Sequence, residues 1–337
     1  MSATDQPLLS VRDLKKHFPI KGGILGRTQA MVQAVDGVSF DVRAGETLGI
    51  VGESGCGKST TAKLLIGLVD RDEGDIELGG KTLGRDISLR ALRRDIQMVF
   101  QDSYASLNPR MTILDSIAFG ARVQGLDDPV GRARRLMARV GLDPDRFAGR
   151  YPHELSGGQR QRINIARALV MSPKVVVLDE AVSALDKSVE AQVLNLLSDL
   201  RAEFGLTYIF ISHDLNVVRY ISDRILVMYL GEVVELAPVD MIWAEQAHPY
   251  TRSLFSAMPS MDPDNRTQKP PLTGDPPNPI DPPPGCRFHT RCAFASDVCK
   301  TRHPVLGPMV QGSPHWVACH LHDPASGHPR AGQGVPA

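Results

Sequence analysis

Short apolar runs alternate with helical patterns over most of the first 240 residues. Continuous, mostly apolar runs at Leu48–Val51, Val175–Leu178 and Tyr208–Ile211 predict buried strands. Apolar residues recur every three or four positions in 59–69 and 189–200, which predicts helices there. Strands that alternate with helices in this way are typical of an α/β fold with a mostly parallel, helix-covered sheet.

The N-terminal pattern differs from the rest of this core. Leu8–Val11 and Gln33–Val42 predict strands of an antiparallel piece. Between them, Lys21–Gln29 contains three glycines and is predicted to be an exposed loop.

The composition changes after Ala257. Eight of the sixteen residues from Lys269 to Pro284 are proline, which excludes a helix or a central strand and predicts an extended linker or arm. The tail from 323 to 337 is rich in proline, glycine and alanine, and we expect it to be disordered. The predicted units are therefore a core domain over 8–257, an extension over 258–322 and this tail.

Charge and hydropathy narrow the function classes. Lys plus Arg and Asp plus Glu both number 38, and a net charge of zero argues against non-specific nucleic-acid binding. No apolar run approaches the roughly 18 residues that a membrane-spanning helix needs, and the first residues lack the pattern of a secretion signal. We therefore expect a cytoplasmic protein that acts at a membrane, if at all, through a partner.

A glycine-rich loop follows the first buried strand and precedes a predicted helix. It fits the pattern G-x-x-x-x-G-K-[ST], in which backbone N–H groups cradle phosphate oxygens. We expect Lys58 to reach the β- and γ-phosphates and the Ser59 hydroxyl to bind Mg²⁺. The predicted nucleotide-binding residues here are Gly52, Glu53, Ser54, Gly55, Cys56, Gly57, Lys58, Ser59 and Thr60.

Two acids follow directly on the second buried strand. A carboxylate at the tip of a buried strand is unfavourable unless it is paired or bound to a cation. We expect Asp179 to hold Mg²⁺, and Glu180 to orient and deprotonate an attacking water.

Residues 155–159 read Leu-Ser-Gly-Gly-Gln. Considered locally, Ser156 and Gln159 predict a capping box at the start of a helix that begins near Arg160. Gly157 and Gly158 precede this predicted helix, and such a helix start is also suited to binding an anion.

The same five residues closely resemble the signature of the ATP-binding-cassette (ABC) ATPases, and they lie in that family's order between the phosphate loop and the acid pair. The resemblance implies a P-loop NTPase core with an antiparallel β subdomain and a helical subdomain at about 102–170. It further implies that Gln101 binds Mg²⁺ and couples to membrane subunits, that Asp186 belongs to the D-loop, and that His213 contacts the γ-phosphate. Lys58, Glu180 and His213 are then the catalytic residues, and Phe18 stacks on adenine, with Phe40 as the alternative.

The resemblance also implies a head-to-tail pair of cassettes. Each ATP would lie between the phosphate loop of one subunit and the signature of the other, which is either an identical chain or a paralogue. One departure is that Ala181 stands where many members have proline after the two acids. Because both acids are present, we expect activity to persist.

Two further segments resemble the oligopeptide/dipeptide importer branch of the family. They are Phe100–Arg110 and His248–Arg252, the second being followed by a proline-rich stretch that ends in Pro284-Gly285-Cys286. This resemblance implies an ATPase at the cytoplasmic face of the cell membrane, two membrane permease subunits and an extracytoplasmic solute-binding protein. Peptides are the expected cargo; nickel or glutathione, an exporter and a non-transport ATPase are the alternatives.

Four of the five cysteines cluster in the extension, at Cys286, Cys292, Cys299 and Cys319. Such clustering in a reducing compartment suggests zinc or an iron–sulfur cluster, although paired C-x-x-C knuckles are absent. The importer branch implies a [4Fe–4S] cluster with a structural role, and zinc, disulfides or free thiols are the alternatives.

Overall fold

The structure, a computed structural model, describes residues 6–22, 27–258 and 277–335 of the 337-residue chain. The first half of the predicted proline-rich linker, residues 269–276, therefore lies outside the described residues. The described strands are β1 (Leu9–Gly22), β2 (Arg27–Val42), β3 (Thr47–Val51), β4 (Glu73–Leu78), β5 (Lys81–Thr82), β6 (Ile96–Val99), β7 (Val175–Asp179), β8 (Thr207–Ile211), β9 (Arg224–Tyr229), β10 (Glu232–Pro238), β11 (Gly307–Pro308) and β12 (Trp316–Val317).

Both predicted helices are present, but one is shorter and the other longer than predicted. The first ends four residues earlier than predicted, just before Gly67, whose φ of 64° is left-handed. The described helices are α1 (Lys58–Leu65), α2 (Leu89–Asp95), α3 (Ile113–Gln124), α4 (Pro129–Arg139), α5 (Pro144–Phe147), α6 (Gly157–Leu169), α7 (Lys187–Phe204), α8 (Leu215–Ile221), α9 (Val239–Ala244), α10 (Pro249–Ser256) and α11 (Asp297–Thr301). None of these helices combines the length and the apolarity that a membrane-spanning helix needs.

The main sheet has the order β11-β12-β10-β9-β3-β8-β7-β6 within the described residues. Its five strands from β9 to β6 are parallel to one another, as the alternating pattern predicts. Every residue of β3, β7 and β8 is buried, because both faces of the sheet are covered. The carboxyl ends of β6, β7 and β8 consequently meet at one edge.

Residues of neighbouring strands alternate between two apolar clusters. Val176 and Leu178 pack with apolar residues of α3, α6 and α7 on one face. Val175 and Val177 pack on the other face with α1 and with the small sheet β2-β1-β4-β5. The core of the molecule is thus the main sheet with one layer on each side.

The predicted loop at Lys21–Gln29 is wrong for most of its residues. β1 continues to Gly22 and β2 begins at Arg27, and these two strands pair as a long antiparallel hairpin. The glycines suggested an open loop, whereas cross-strand backbone pairing, such as Lys21 with Thr28, extends the strands to Gly22 and Arg27. Residues 23–26 lie outside the described residues.

The extension packs on the edge of the main sheet. β12 pairs antiparallel with β10, so that Val317 lies opposite Glu235. The tail differs from the expected disorder: residues 323–335 form turns in which Ser326 and His328 are buried. The Ser326 hydroxyl donates to the His320 carbonyl at 2.8 Å, and such local hydrogen bonds order a segment that has little apolar content.

Candidate functional site

The phosphate loop connects β3 to α1 and depends on its glycines. Gly52 and Gly57 have φ of 149° and 107°, a region that disfavours side chains. A Cβ on Gly52 would lie 2.2 Å from the Met228 carbonyl oxygen, and one on Gly57 would lie 2.3 Å from that of Ala34. The loop therefore holds its shape only with glycine at both positions.

The ammonium group of Lys58 lies inside this loop. Its Nζ donates to the carbonyl oxygens of Gly52 at 2.8 Å and Glu53 at 2.9 Å, and the side chain is buried. α1 begins at Lys58 without a side-chain cap, so the N–H groups of its first turn are available to an anion. A buried ammonium and an open helix start together make a site for phosphate.

The acid at the end of β7 lies beside the loop. The Ser59 hydroxyl donates to Asp179 Oδ1 at 3.0 Å. Burial, and to a lesser extent the charge of Glu180, raise the pKa of Asp179 above its usual value. Because its ionised form lacks solvation, this carboxylate favours a nearby cation.

Three side chains converge where β6, β7 and β8 end. Gln101 Nε2 donates to Glu180 Oε2 at 2.8 Å, and His213 Nδ1 lies 3.5 Å from Glu180 Oε1. Glu180 has a φ of 48°, and its backbone N–H donates to the Ile211 carbonyl at 2.9 Å. A carboxylate held by an amide and an imidazole at the edge of a phosphate site is well arranged to orient a water molecule.

The 155–159 segment begins α6, and the predicted capping box is confirmed. Gln159 N donates to Ser156 Oγ at 3.3 Å, and Ser156 N donates to Gln159 Oε1 at 3.0 Å. The helix begins at Gly157, three residues before the predicted start. A Cβ on Gly158 would lie 2.5 Å from a Val189 methyl group, so that glycine permits close packing of α6 on α7.

The structure does not join this helix start to the phosphate loop of the same chain. Among the described residues, no hydrogen bond or ion pair links Ser156–Gln159 with the loop at 52–59. Ser156 is exposed, as is Asp186, which precedes α7. Both are therefore accessible to another molecule.

The two candidate aromatic residues for adenine differ in accessibility. Phe18 lies in β1 and is 37% exposed, with Lys16 Nζ 5.5 Å from its ring centroid. Phe40 is 3% exposed and packs in the core, so the alternative assignment to Phe40 is wrong. The Phe18 assignment stays a prediction.

The four cysteines of the extension line one small cavity together with Phe288 and Phe294. Burial raises the pKa of the Cys286 thiol to about 12, while hydrogen bonding from the Phe288 backbone acts in the opposite direction. Burial also raises the pKa values of Cys292 and Cys319. In the part of the chain that the structure describes, no group of three or more His, Cys, Asp or Glu side chains is placed to hold a metal ion.

Sequence reasoning missed two residues that touch the phosphate loop from outside it. The Tyr250 hydroxyl accepts a hydrogen bond from Glu53 N at 2.8 Å, and the Arg291 guanidinium pairs with the Glu53 carboxylate at 2.9 Å. Tyr250 belongs to the His248–Arg252 segment, which was noted only as a family resemblance. Arg291 had no local signal, because its partner lies 238 residues away in the chain.

Comparison with known proteins agrees with these features. A family model described as "ABC transporter" matches residues 35–183, and another described as "Oligopeptide/dipeptide transporter, C-terminal region" matches residues 234–299. The oligopeptide transport ATP-binding protein AppF of Bacillus subtilis is 48% identical over 329 residues, covering 95% of this chain and 99% of that protein. The oligopeptide transport ATP-binding protein OppF of Escherichia coli is 50% identical over 328 residues, covering 94% and 97%.

Two solved structures are also similar to this chain. The dimeric post-hydrolysis state of the ATP-binding cassette MJ0796 with ADP and Pi has a TM-score of 0.60 and 30% identity, covering 68% of this chain and 98% of that one. The cbiO1 structure from Clostridium perfringens has a TM-score of 0.60 and 28% identity, covering 72% and 92%.

Proposed function

The chain belongs to the ABC transporter family, among the oligopeptide transport ATP-binding proteins, and on this premise we propose which of its residues hydrolyse ATP and what completes the site. The chain is an ATPase and the ATP-binding subunit of a peptide importer. The observation that carries the residue assignment is the convergence of Gln101, Glu180 and His213 beside the Ser59–Asp179 contact.

ATP binding is assigned to the loop at 52–60 and to Phe18. Loop N–H groups and the open start of α1 bind phosphate oxygens, and Lys58 Nζ exchanges its carbonyl contacts for the β- and γ-phosphates. Ser59, Gln101 and Asp179 would hold Mg²⁺, and the buried, cation-favouring carboxylate of Asp179 fits that ion. When bound, the ion neutralises charge on the phosphate oxygens.

Hydrolysis is assigned to Glu180. The water oxygen forms a bond to the γ-phosphorus while the bond from that phosphorus to the β–γ bridging oxygen breaks, and Glu180 accepts a proton from the water. Gln101 and His213 keep the carboxylate in place, and His213 contacts the γ-phosphate. The products are ADP and phosphate.

A second cassette, for which we favour a paralogue, completes the site. Ser156–Gln159 and Asp186 are assigned to the nucleotide bound by the partner cassette, which is consistent with the exposure of Ser156 and Asp186 and with the dimeric state of the similar cassette structure. Two membrane permeases and an extracytoplasmic solute-binding protein complete the assembly at the cytoplasmic face of the membrane. The functional units are those expected from sequence: a cassette over 8–257, with its helical part at about 102–170, and the extension over 258–322.

The permease contact is assigned to residues 104–114. Tyr104 is 51% exposed, while Asn164 and Arg167 of α6 bind the carbonyl oxygens of Ser103 and Ser106. This segment thus lies between a free surface and the helix that carries the signature. Crosslinkers placed at exposed positions of 104–114 in the assembled transporter should reach a permease subunit. If they reach no membrane protein while the transporter remains active, the contact is assigned wrongly.

We assign a [4Fe–4S] cluster, rather than zinc, to Cys286, Cys292, Cys299 and Cys319. The four cysteines line one small cavity and could supply the four thiolate ligands that such a cluster takes. The cluster would serve as a structural staple of a segment with little core of its own.

The cluster assignment is tested by metal analysis after anaerobic purification. The full-length chain should contain iron and acid-labile sulfide, and Cys319→Ser should lose both. Cys56→Ser is the matched control, because Cys56 is also a buried thiol but lies in the phosphate loop, and it should retain both. A colourless, iron-free wild-type protein contradicts the assignment.

The cargo is tested by ATP turnover in the reconstituted importer. Peptide-loaded binding protein should stimulate turnover above the level with the empty binding protein. Stimulation by nickel or glutathione alone would assign another cargo and leave the ATPase assignment standing.

A further inference from the structure

Glu53 is the second residue of the phosphate loop, and residues beyond the loop hold both its backbone and its side chain. Its N–H donates to the Tyr250 hydroxyl at 2.8 Å. Its carboxylate forms a two-pronged ion pair with Arg291, Nη1 to Oε2 at 2.9 Å and Nη2 to Oε1 at 3.1 Å. Planar, bidentate pairs of this kind fix orientation as well as charge.

Arg291 is well placed to act on the loop. Its side chain is 5% exposed, and its guanidinium carbon lies 6.0 Å from the ring centroids of both Tyr229 and Phe288. Nη1 also lies 3.4 Å from the Tyr229 hydroxyl. Tyr229 belongs to β9 of the cassette and Phe288 to the extension, so the two rings hold the guanidinium between these two parts of the chain.

The charge on Glu53 matters because the loop must receive a triphosphate. The Glu53 side chain is 22% exposed, and Lys58 contacts the Glu53 backbone oxygen rather than its carboxylate. Without Arg291, a half-buried negative charge would stand uncompensated beside the phosphate site and would repel ATP.

We propose that Arg291 is a positioning residue for ATP binding, which neutralises Glu53 and holds the phosphate loop in its receptive shape from the cysteine-bearing extension. The proposal rests on the assignment of the 52–60 loop as the ATP site. Arg291 directly precedes Cys292, one of the four clustered cysteines. The conformational order of the cysteine-bearing segment and the affinity of the loop for ATP are therefore linked. Linkage is reciprocal, so ATP must also stabilise the segment.

The test measures the ATP dissociation constant of the full-length chain and three variants, each checked for folding by circular dichroism. Arg291→Met should weaken binding on the order of tenfold, because it leaves the Glu53 charge unpaired. Arg291→Met combined with Glu53→Gln should return the constant to within about twofold of wild type, since the repelling charge is gone. Arg291→Lys should lie between wild type and Arg291→Met.

Lys300→Met is the matched control. Lys300 belongs to the same extension and pairs with Asp297 at 2.9 Å, but the pair is exposed and does not touch the loop. Its ATP affinity should equal that of wild type.

The other possible results of this test separate the proposal from its alternatives. A folded Arg291→Met variant with unchanged ATP affinity overturns the proposal, as does an equal loss with and without Glu53→Gln, which would indicate a purely structural role. If Arg291→Met does not fold, Arg291→Lys and the double variant decide: restored binding in the double variant supports the proposal, and no binding in it overturns the proposal. If the wild-type chain itself binds no ATP, the assignment of the ATP site fails instead.

Discussion

The phosphate loop lies against the C-terminal region at 277–335, which comprises the described part of the extension and the tail. Different interactions hold the loop and this region in place. The loop follows β3, a strand whose five residues are all buried between two apolar layers. The described extension has little regular secondary structure: a five-residue helix, α11, and two strands of two residues each. The catalytic region is therefore positioned by hydrophobic burial, whereas the extension depends on polar contacts with the surface it covers.

Buried charges and polar side chains make most of those contacts. Arg287 Nε lies 2.6 Å from Glu232 Oε1, and the same guanidinium pairs with Asp36 of β2. His315 Nε2 lies 2.7 Å from Glu235, a fully buried carboxylate that also accepts hydrogen bonds from the backbone N–H groups of Ala247 and His248, just before α10. Removing one partner of such a pair leaves the other as an uncompensated buried charge. Single substitutions at these pairs should therefore destabilise the extension more than single substitutions in an apolar interface would.

The largest effect is expected in the phosphate loop. Lys58→Ala removes the cation that the loop encloses, and kcat/KM for ATP should fall on the order of a thousandfold, with the fold intact. Lys63→Ala is the control, because Lys63 is exposed in the last turn of the same helix. Similar losses for both lysines would mean that general positive charge, rather than the position of Lys58, governs binding.

A smaller effect is expected where Arg287 joins the extension to the cassette. Arg287→Met should lower the free energy of unfolding by about 2–3 kcal/mol, since Asp36 and Glu232 would lose their buried counter-charge. Urea unfolding of the full chain measures this change. Lys300→Met removes an exposed ion pair and should cost less than about 0.5 kcal/mol, and equal costs for the two substitutions would refute the contrast drawn between them.

The smallest effect is expected at the start of α6, which we assign to the nucleotide of the second cassette. Ser156→Ala removes a side-chain cap of α6 and should cost about 1 kcal/mol in the free energy of unfolding. Ser156→Asp keeps a capping oxygen and should retain most of that stability. An unchanged unfolding midpoint in Ser156→Ala would show that the cap contributes nothing to the fold.

The same difference between the two regions explains what the sequence could predict. The strands before Gly52 and Glu180, and the capping box at Ser156, are local patterns and were located correctly. The meeting of Gln101, Glu180 and His213 depends on which strands are neighbours, which the sequence pattern did not show; only the roles of Gln101 and His213 were inferred, from family resemblance. The predicted loop at Lys21–Gln29 failed because pairing across the hairpin outweighs the local preference of its glycines.

The extension was least predictable because its contacts span the whole chain. Arg291 meets Glu53 across 238 positions, and no periodicity or motif announces such a pair. The tail was expected to be disordered on composition alone, but Ser326 and His328 are buried, and their side chains form hydrogen bonds with backbone carbonyls, such as that of His328 Nε2 with the Phe294 carbonyl at 2.9 Å. The composition of a segment indicates whether it can form an apolar core of its own. It does not show whether the segment makes polar contacts with a neighbouring surface.

The central claim is that Glu180 activates water in an ATP site that a second cassette completes. The most direct test compares ATP turnover and ATP affinity in the wild type and in Glu180→Gln, which keeps the shape of the side chain and removes its basicity. The account predicts that turnover falls on the order of a thousandfold, while the ATP dissociation constant stays within about twofold. Turnover near the wild-type rate in this variant would contradict the assignment of Glu180 as the general base.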